Sequence, residues 1–159
     1  MKITVLAVGK IKEPFYRDAI VEFQKRLSKY VKLTIIEIQD EKIPDNASGQ
    51  ERKIILDKEG TRLRKHIPPG AYVVALAIKG RQLDSMQLSE RIHNLGVSGT
   101  SHIAFVIGGS LGLSDTVLQS ADLLLSFSKM TFPHQLMRVI LLEQIYRSMR
   151  IIHHEPYHK

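Results

Sequence analysis

The 159-residue sequence contains no cysteine and no tryptophan. The first absence excludes disulfides, thiolate metal sites and a cysteine nucleophile, and fits a reducing cytoplasm. No apolar stretch approaches the ~18–20 residues that span a bilayer; even RVILLEQIY is interrupted by Glu143 and Gln144. The N-terminus, MKITVLAVGKIKEPFY, has one lysine before a short apolar run, but Gly9, Lys10 and Lys12 stand where a signal sequence would carry a cleavage site. It reads as a first strand, and the chain as a soluble protein without a membrane partner. Two nucleotide-binding signatures are missing too: neither G-x-G-x-x-G nor G-x-x-x-x-G-K-[ST] occurs, which leaves no dinucleotide fingerprint or Walker loop.

What is present is an ordinary globular mixture, 43% apolar and 25% charged, long enough to bury roughly two thirds of its unfolded surface in a single domain, residues 1–159. The 23 basic residues outnumber the 16 acidic ones, for a net charge of +7. That balance suits a polyanionic partner, nucleic acid first. The charges are scattered, with clusters at Lys10 to Arg17, Arg52 to Lys65 and Lys129 to Lys159.

Strand and helix patterns alternate along the chain. KITVLAV (2–8) is β-branched and apolar and ends at Gly9. Pro14 then opens a helix with Phe15, Ala19, Ile20, Phe23, Leu27 and Tyr30 at helical spacing. A second strand is expected at Leu33 to Ile38. Ser48 and Glu51 have the spacing of a capping box, which starts a helix that carries Ile55, Glu59, Leu63 and His66 on related turns. AYVVALAI (71–78) is a continuous apolar run, as a central parallel strand covered on both faces would be. KGRQLDS turns the chain, Asp84 or Ser85 caps a helix, HIAFVI (102–107) is another buried strand, and Ser114 caps a short helix. DLLLS (122–126) makes a last strand before a long helix over about 135–149. This order predicts an α/β fold with a mostly parallel sheet flanked by helices.

Three strand ends pass from apolar residues into small or polar loops: Leu76 to Gly80, Ile107 to Gly112, and Ser126 to Phe132. The carboxyl ends of strands are where open α/β sheets bind ligands, and adjacent glycines such as Gly108 and Gly109 allow close backbone approach. A nucleoside cofactor suits such a site, with its base among apolar side chains. On the last helix Glu143 and Arg147 are four apart, the spacing of a surface ion pair. Arg138 precedes Arg147 by nine residues, ~900° of helix, which puts the two on opposite faces. The tail holds His153, His154 and His158, but without ligand spacing on a helix, so a metal is not expected.

DKEG (57–60), VIGGSLGLS (106–114), LSFSKMTFPHQLMRVILLEQIYRSMRI (125–151) and the terminal PYHK resemble the ribosomal RNA large-subunit methyltransferase H family of the SPOUT superfamily. The resemblance covers essentially the full length and is most specific in the C-terminal third. It implies an α/β fold with a C-terminal trefoil knot, a homodimer, and S-adenosylmethionine bound at Leu76, Gly108, Phe127, Ser128, Lys129, Met130, Thr131 and Phe132. The implied reaction is methylation of N3 of a pseudouridine in 23S ribosomal RNA, within the ribosome. An imide nitrogen is a poor nucleophile while protonated, so a base is needed. His158 and Glu143 are the candidates, with Tyr157 orienting the base and Arg138 and Arg147 holding phosphate or developing negative charge. The rival readings are a non-catalytic ribosome- or RNA-binding protein, a histidine-metal hydrolase, and a transfer RNA methyltransferase of the same superfamily.

Overall fold

The computed structural model describes residues 1–159. Five strands and five helices alternate: β1 (Lys2–Val8), α1 (Pro14–Leu27), β2 (Lys32–Ile38), α2 (Gly49–His66), β3 (Tyr72–Gln82), α3 (Ser85–Val97), β4 (His102–Ile107), α4 (Asp115–Ser120), β5 (Leu123–Ser126) and α5 (His134–Ile152). The strands form one sheet in the order β2-β1-β4-β3-β5, and every pairing is parallel.

A parallel sheet must be covered on both faces, and period-two alternation splits the core accordingly. In β1, Ile3, Val5 and Ala7 join a core layer that includes Leu27, Leu88, Ile92, Leu141 and Ile145 from α1, α3 and α5. Leu6 and Val8 point the other way, into a smaller layer with Leu63 of α2 and Val117 of α4.

The helix starts follow local chemistry. Ser48 Oγ accepts from Glu51 N at 3.1 Å and Glu51 Oε1 accepts from Ser48 N at 3.5 Å, a reciprocal capping box. Asp84, not Ser85, caps α3 by the same device with Gln87, at 2.7 and 2.9 Å.

Two boundaries differ from the sequence reading in ways that matter. β3 runs on to Gln82, although KGRQ reads as a turn, because Arg81 and Gln82 pair with Leu125 and Ser126 after an irregularity. α5 begins at His134 and continues to Ile152, since its last turn is held by the tail that folds back on it.

Candidate active site

The cleft lies at the carboxyl ends of β3, β4 and β5. Its first wall comes from the break in β3: both Leu76 and Arg81 register with Leu125, so residues 77–80 bulge out of the sheet. Gly80 sits at the foot of this bulge, where a Cβ would stand 2.7 Å from the Leu124 carbonyl carbon and oxygen. The second wall is the glycine loop after β4. A Cβ on Gly108 would fall on the Gly112 carbonyl, with the Gly112 Cα 3.0 Å away, so only glycine lets the loop close at this point. The third wall is the segment after β5, where Ser126 Oγ donates to the Ser128 carbonyl at 3.1 Å and Met130 N donates to Ser128 Oγ at 3.0 Å.

These walls enclose about 300 Å³, lined mainly by apolar side chains such as Leu76, Ile78, Leu111, Phe127 and Phe132. Of the donor-site residues expected from the sequence, Leu76, Gly108, Phe127, Ser128, Met130, Thr131 and Phe132 line the cleft; Lys129 does not. Ala77, Ile78 and Leu111 fall within the strand ends expected to form this site but were not named as donor contacts, and His134 and Met137 were missed. The first two were assigned to a regular strand, and nothing in the sequence signals the bulge. The ring of His134 is half-buried; burial, then Arg138 and Lys12, push its pKa below the ordinary imidazole value against the pull of Asp40. The cleft therefore holds a neutral imidazole near neutral pH.

A second cluster gathers Glu143, Arg147, Tyr157 and His158. Glu143 Oε1 accepts from Arg147 Nε and Nη2 at 3.1 and 2.6 Å and from the Tyr157 hydroxyl at 3.0 Å, while its Oε2 accepts from Gln144 Nε2 at 2.8 Å. The guanidinium of Arg147 also stacks on the Tyr157 ring, 4.7 Å from its centroid, and Tyr157 packs edge-on against Tyr146 at 5.0 Å. Burial and the neighbouring Glu143 hold the Tyr157 phenol above its usual pKa, so it remains a hydrogen-bond donor. Arg147 Nη1 lies 3.1 Å from His158 Nδ1. A guanidinium only donates, so Nδ1 accepts, and the neutral ring carries its hydrogen on Nε2.

None of these four residues lines the cleft. α5 enters the cleft with His134 and Met137, and Glu143 lies ~9 Å of helix rise beyond Met137. Arg138 is elsewhere again. It is 1% exposed, donates to Glu37 Oε2 at 2.5 Å and to the Gly9 carbonyl at 3.1 Å, and leaves its Nε without a partner. Arg138 and Arg147 thus point to opposite sides of α5, as the helix arithmetic requires, and Arg138 is engaged away from solvent, where phosphate does not reach it. The tail histidines also separate: His153 Nδ1 lies 2.8 Å from the Met149 carbonyl, while His158 faces Arg147.

A family model described as "Predicted SPOUT methyltransferase" matches residues 1–158. The chain belongs to the SPOUT methyltransferase family. It is 60% identical over 159 residues to the ribosomal RNA large subunit methyltransferase H of Bifidobacterium adolescentis and 58% identical to the protein of that name from Clostridium kluyveri, with both chains covered completely in each case. The resemblance carried by residues 57–60, 106–114 and 125–151 is thereby borne out. Among solved structures, a tRNA methyltransferase from Aquifex aeolicus superposes with a TM-score of 0.52 at 14% identity, covering 100% of this chain and 75% of that one. That likeness speaks to the SPOUT fold alone.

Proposed function

We propose that this chain is an S-adenosylmethionine-dependent methyltransferase that modifies N3 of a pseudouridine in 23S ribosomal RNA on the assembled ribosome. It works as a cytoplasmic homodimer of single-domain protomers with a C-terminal trefoil knot. The observation that carries the reading is the glycine-walled cleft in a chain that matches large-subunit methyltransferases end to end.

The cleft suits the donor. Its volume is at the lower end of ligand pockets, ~300–1,000 Å³. Its apolar side chains can take an adenine, and the backbone of 108–112 and 128–131 offers hydrogen bonds. A neutral His134 does not repel a sulfonium cation. S-adenosylmethionine, when bound, supplies an activated methyl group; the protein's work is to align the acceptor, exclude water and take a proton.

For that proton His158 is better placed than Glu143. All the donors around Glu143 already occupy its oxygens, so its part is to anchor Arg147 and Tyr157. His158 becomes a base through Nδ1 once Arg147 turns to the RNA, and Arg147 then faces the developing negative charge or a phosphate. Arg138, buried against Glu37, fixes the first turns of α5 and is a positioning residue. Because cleft and tail cluster are apart within one protomer, the tail of one copy completes the cleft of the other.

Calorimetric titration with S-adenosylmethionine tests the reading. Saturable binding is expected, lost in Gly108→Val, whose side chain falls on Gly112, together with methylation of pseudouridine on purified ribosomes. A wild-type protein that neither binds the donor nor methylates ribosomes would leave the non-catalytic RNA-binding reading in its place.

A further inference from the structure

After α5 the chain does not trail away. His154 adopts φ +54°, the only non-glycine residue in the left-handed region, and this turns the backbone sharply at the helix end. The turn is then fastened. Arg150 Nη1 meets Glu155 Oε2 at 2.7 Å and its Nη2 donates to the Pro156 carbonyl at 2.8 Å, while the Arg150 carbonyl accepts from Glu155 N at 2.9 Å. From α1's end, the Tyr30 hydroxyl donates to the same Glu155 carboxylate and accepts from Arg150 Nη1 at 3.3 Å. Lys29, its side chain 65% exposed and 3.5 Å from Glu155, adds little to this. Arg150 Nε is buried without a partner, so the guanidinium holds a pose that the other contacts must stabilise.

We infer that Tyr30, Arg150 and Glu155 form a clasp that fixes the take-off point of the last residues, and so presents Tyr157 and His158 in one place for methyl transfer. All three are positioning residues for the reaction proposed above, on which the catalytic part of the inference rests. Glu155 is two residues from Tyr157, and the polar contacts that reach residues 154–156 from outside α5 come from Tyr30 and Lys29. Tyr157 is also held by Glu143, Arg147 and Tyr146 on α5, so loss of the clasp frees residues 154–156 to shift its approach, and misplacement by ~1 Å can slow a reaction ~100-fold.

The test uses the full-length protein with Glu155→Gln and, separately, Tyr30→Phe. Each removes a charge-assisted contact, so release of the last three residues by carboxypeptidase should quicken roughly tenfold, and the NMR signals of the His158 ring should shift towards those of a free histidine. On ribosomes kcat should fall about tenfold or more, while KM and donor affinity stay at wild-type values. Tail release and His158 signals identical to wild type in both variants would overturn the clasp. A released tail with unchanged kcat would overturn its positioning role. Wild-type protein inactive on ribosomes would instead sink the functional reading, with the clasp still decided by release and NMR.

Discussion

Glu59 shares a helix stripe with Ile55 and Leu63, and it is buried with them, 4% exposed. A carboxylate in that company needs a reason. Its Oε2 accepts from Glu41 N at 2.9 Å, which ties the loop after β2 to α2 just behind Gly109. Burial raises its pKa, and Asp40 and Glu41 add to the rise against the Glu41 N–H and Arg62. A carboxyl whose folded pKa is raised contributes its full stability below the ordinary glutamate value and loses it as pH rises through the folded value. Glu59→Gln keeps an acceptor for Glu41 N and removes the charge. Its Tm should match wild type near pH 4 and exceed it near pH 8. Thermal unfolding at the two pH values checks this; an equal difference at both would show that the charge is not what matters.

At the scale of the element, α5 joins three tasks: core, cleft wall and tail support. Arg138 is its structural key, because the Glu37 ion pair joins α5 to β2 across 101 residues of sequence. Arg138→Ala should lower stability by ~2–3 kcal/mol, below the ~3–5 of a fully buried pair because Glu37 is 36% exposed and can recover water. Urea unfolding measures it, and a loss under ~0.5 kcal/mol would mean the pair is solvated. The sequence made much of these elements legible. β1, β4 and the first half of β3 are continuous apolar runs because both sheet faces are covered, and α2 and α3 announce themselves by their caps. The convergence of three strand ends was legible from where apolar runs give way to glycine and serine. What stayed hidden is what depends on distant partners: the bulge at 77–80 exists because β5 pairs on both sides of it, and Arg138 reads as a holder of phosphate or developing negative charge until Glu37 is seen beside it. How the tail is fastened was hidden too, since a clasp built from Tyr30 and Glu155 leaves no local pattern.

For the whole molecule, the decisive geometry is the separation of cleft and tail cluster along α5. In the proposed homodimer each site borrows from both copies, and two crippled protomers should repair one another. Gly108→Val loses a cleft and His158→Ala loses a tail, so each homodimer should be inactive. Random pairing of the two makes half the molecules mixed, each with one intact site of two, and methyl transfer to ribosomes should return to about a quarter of wild type. Activity at background would count against a shared site. The sheet order carries a different consequence, one of timing. β1 lies between β2 and β4, with Lys2 in register with His102. During synthesis at ~5–20 residues per second, β1 is made ~5–20 s before the strand that covers its second edge. For that interval the nascent chain carries an open, apolar strand edge, and protecting it falls to the ribosome's exit region or to chaperones.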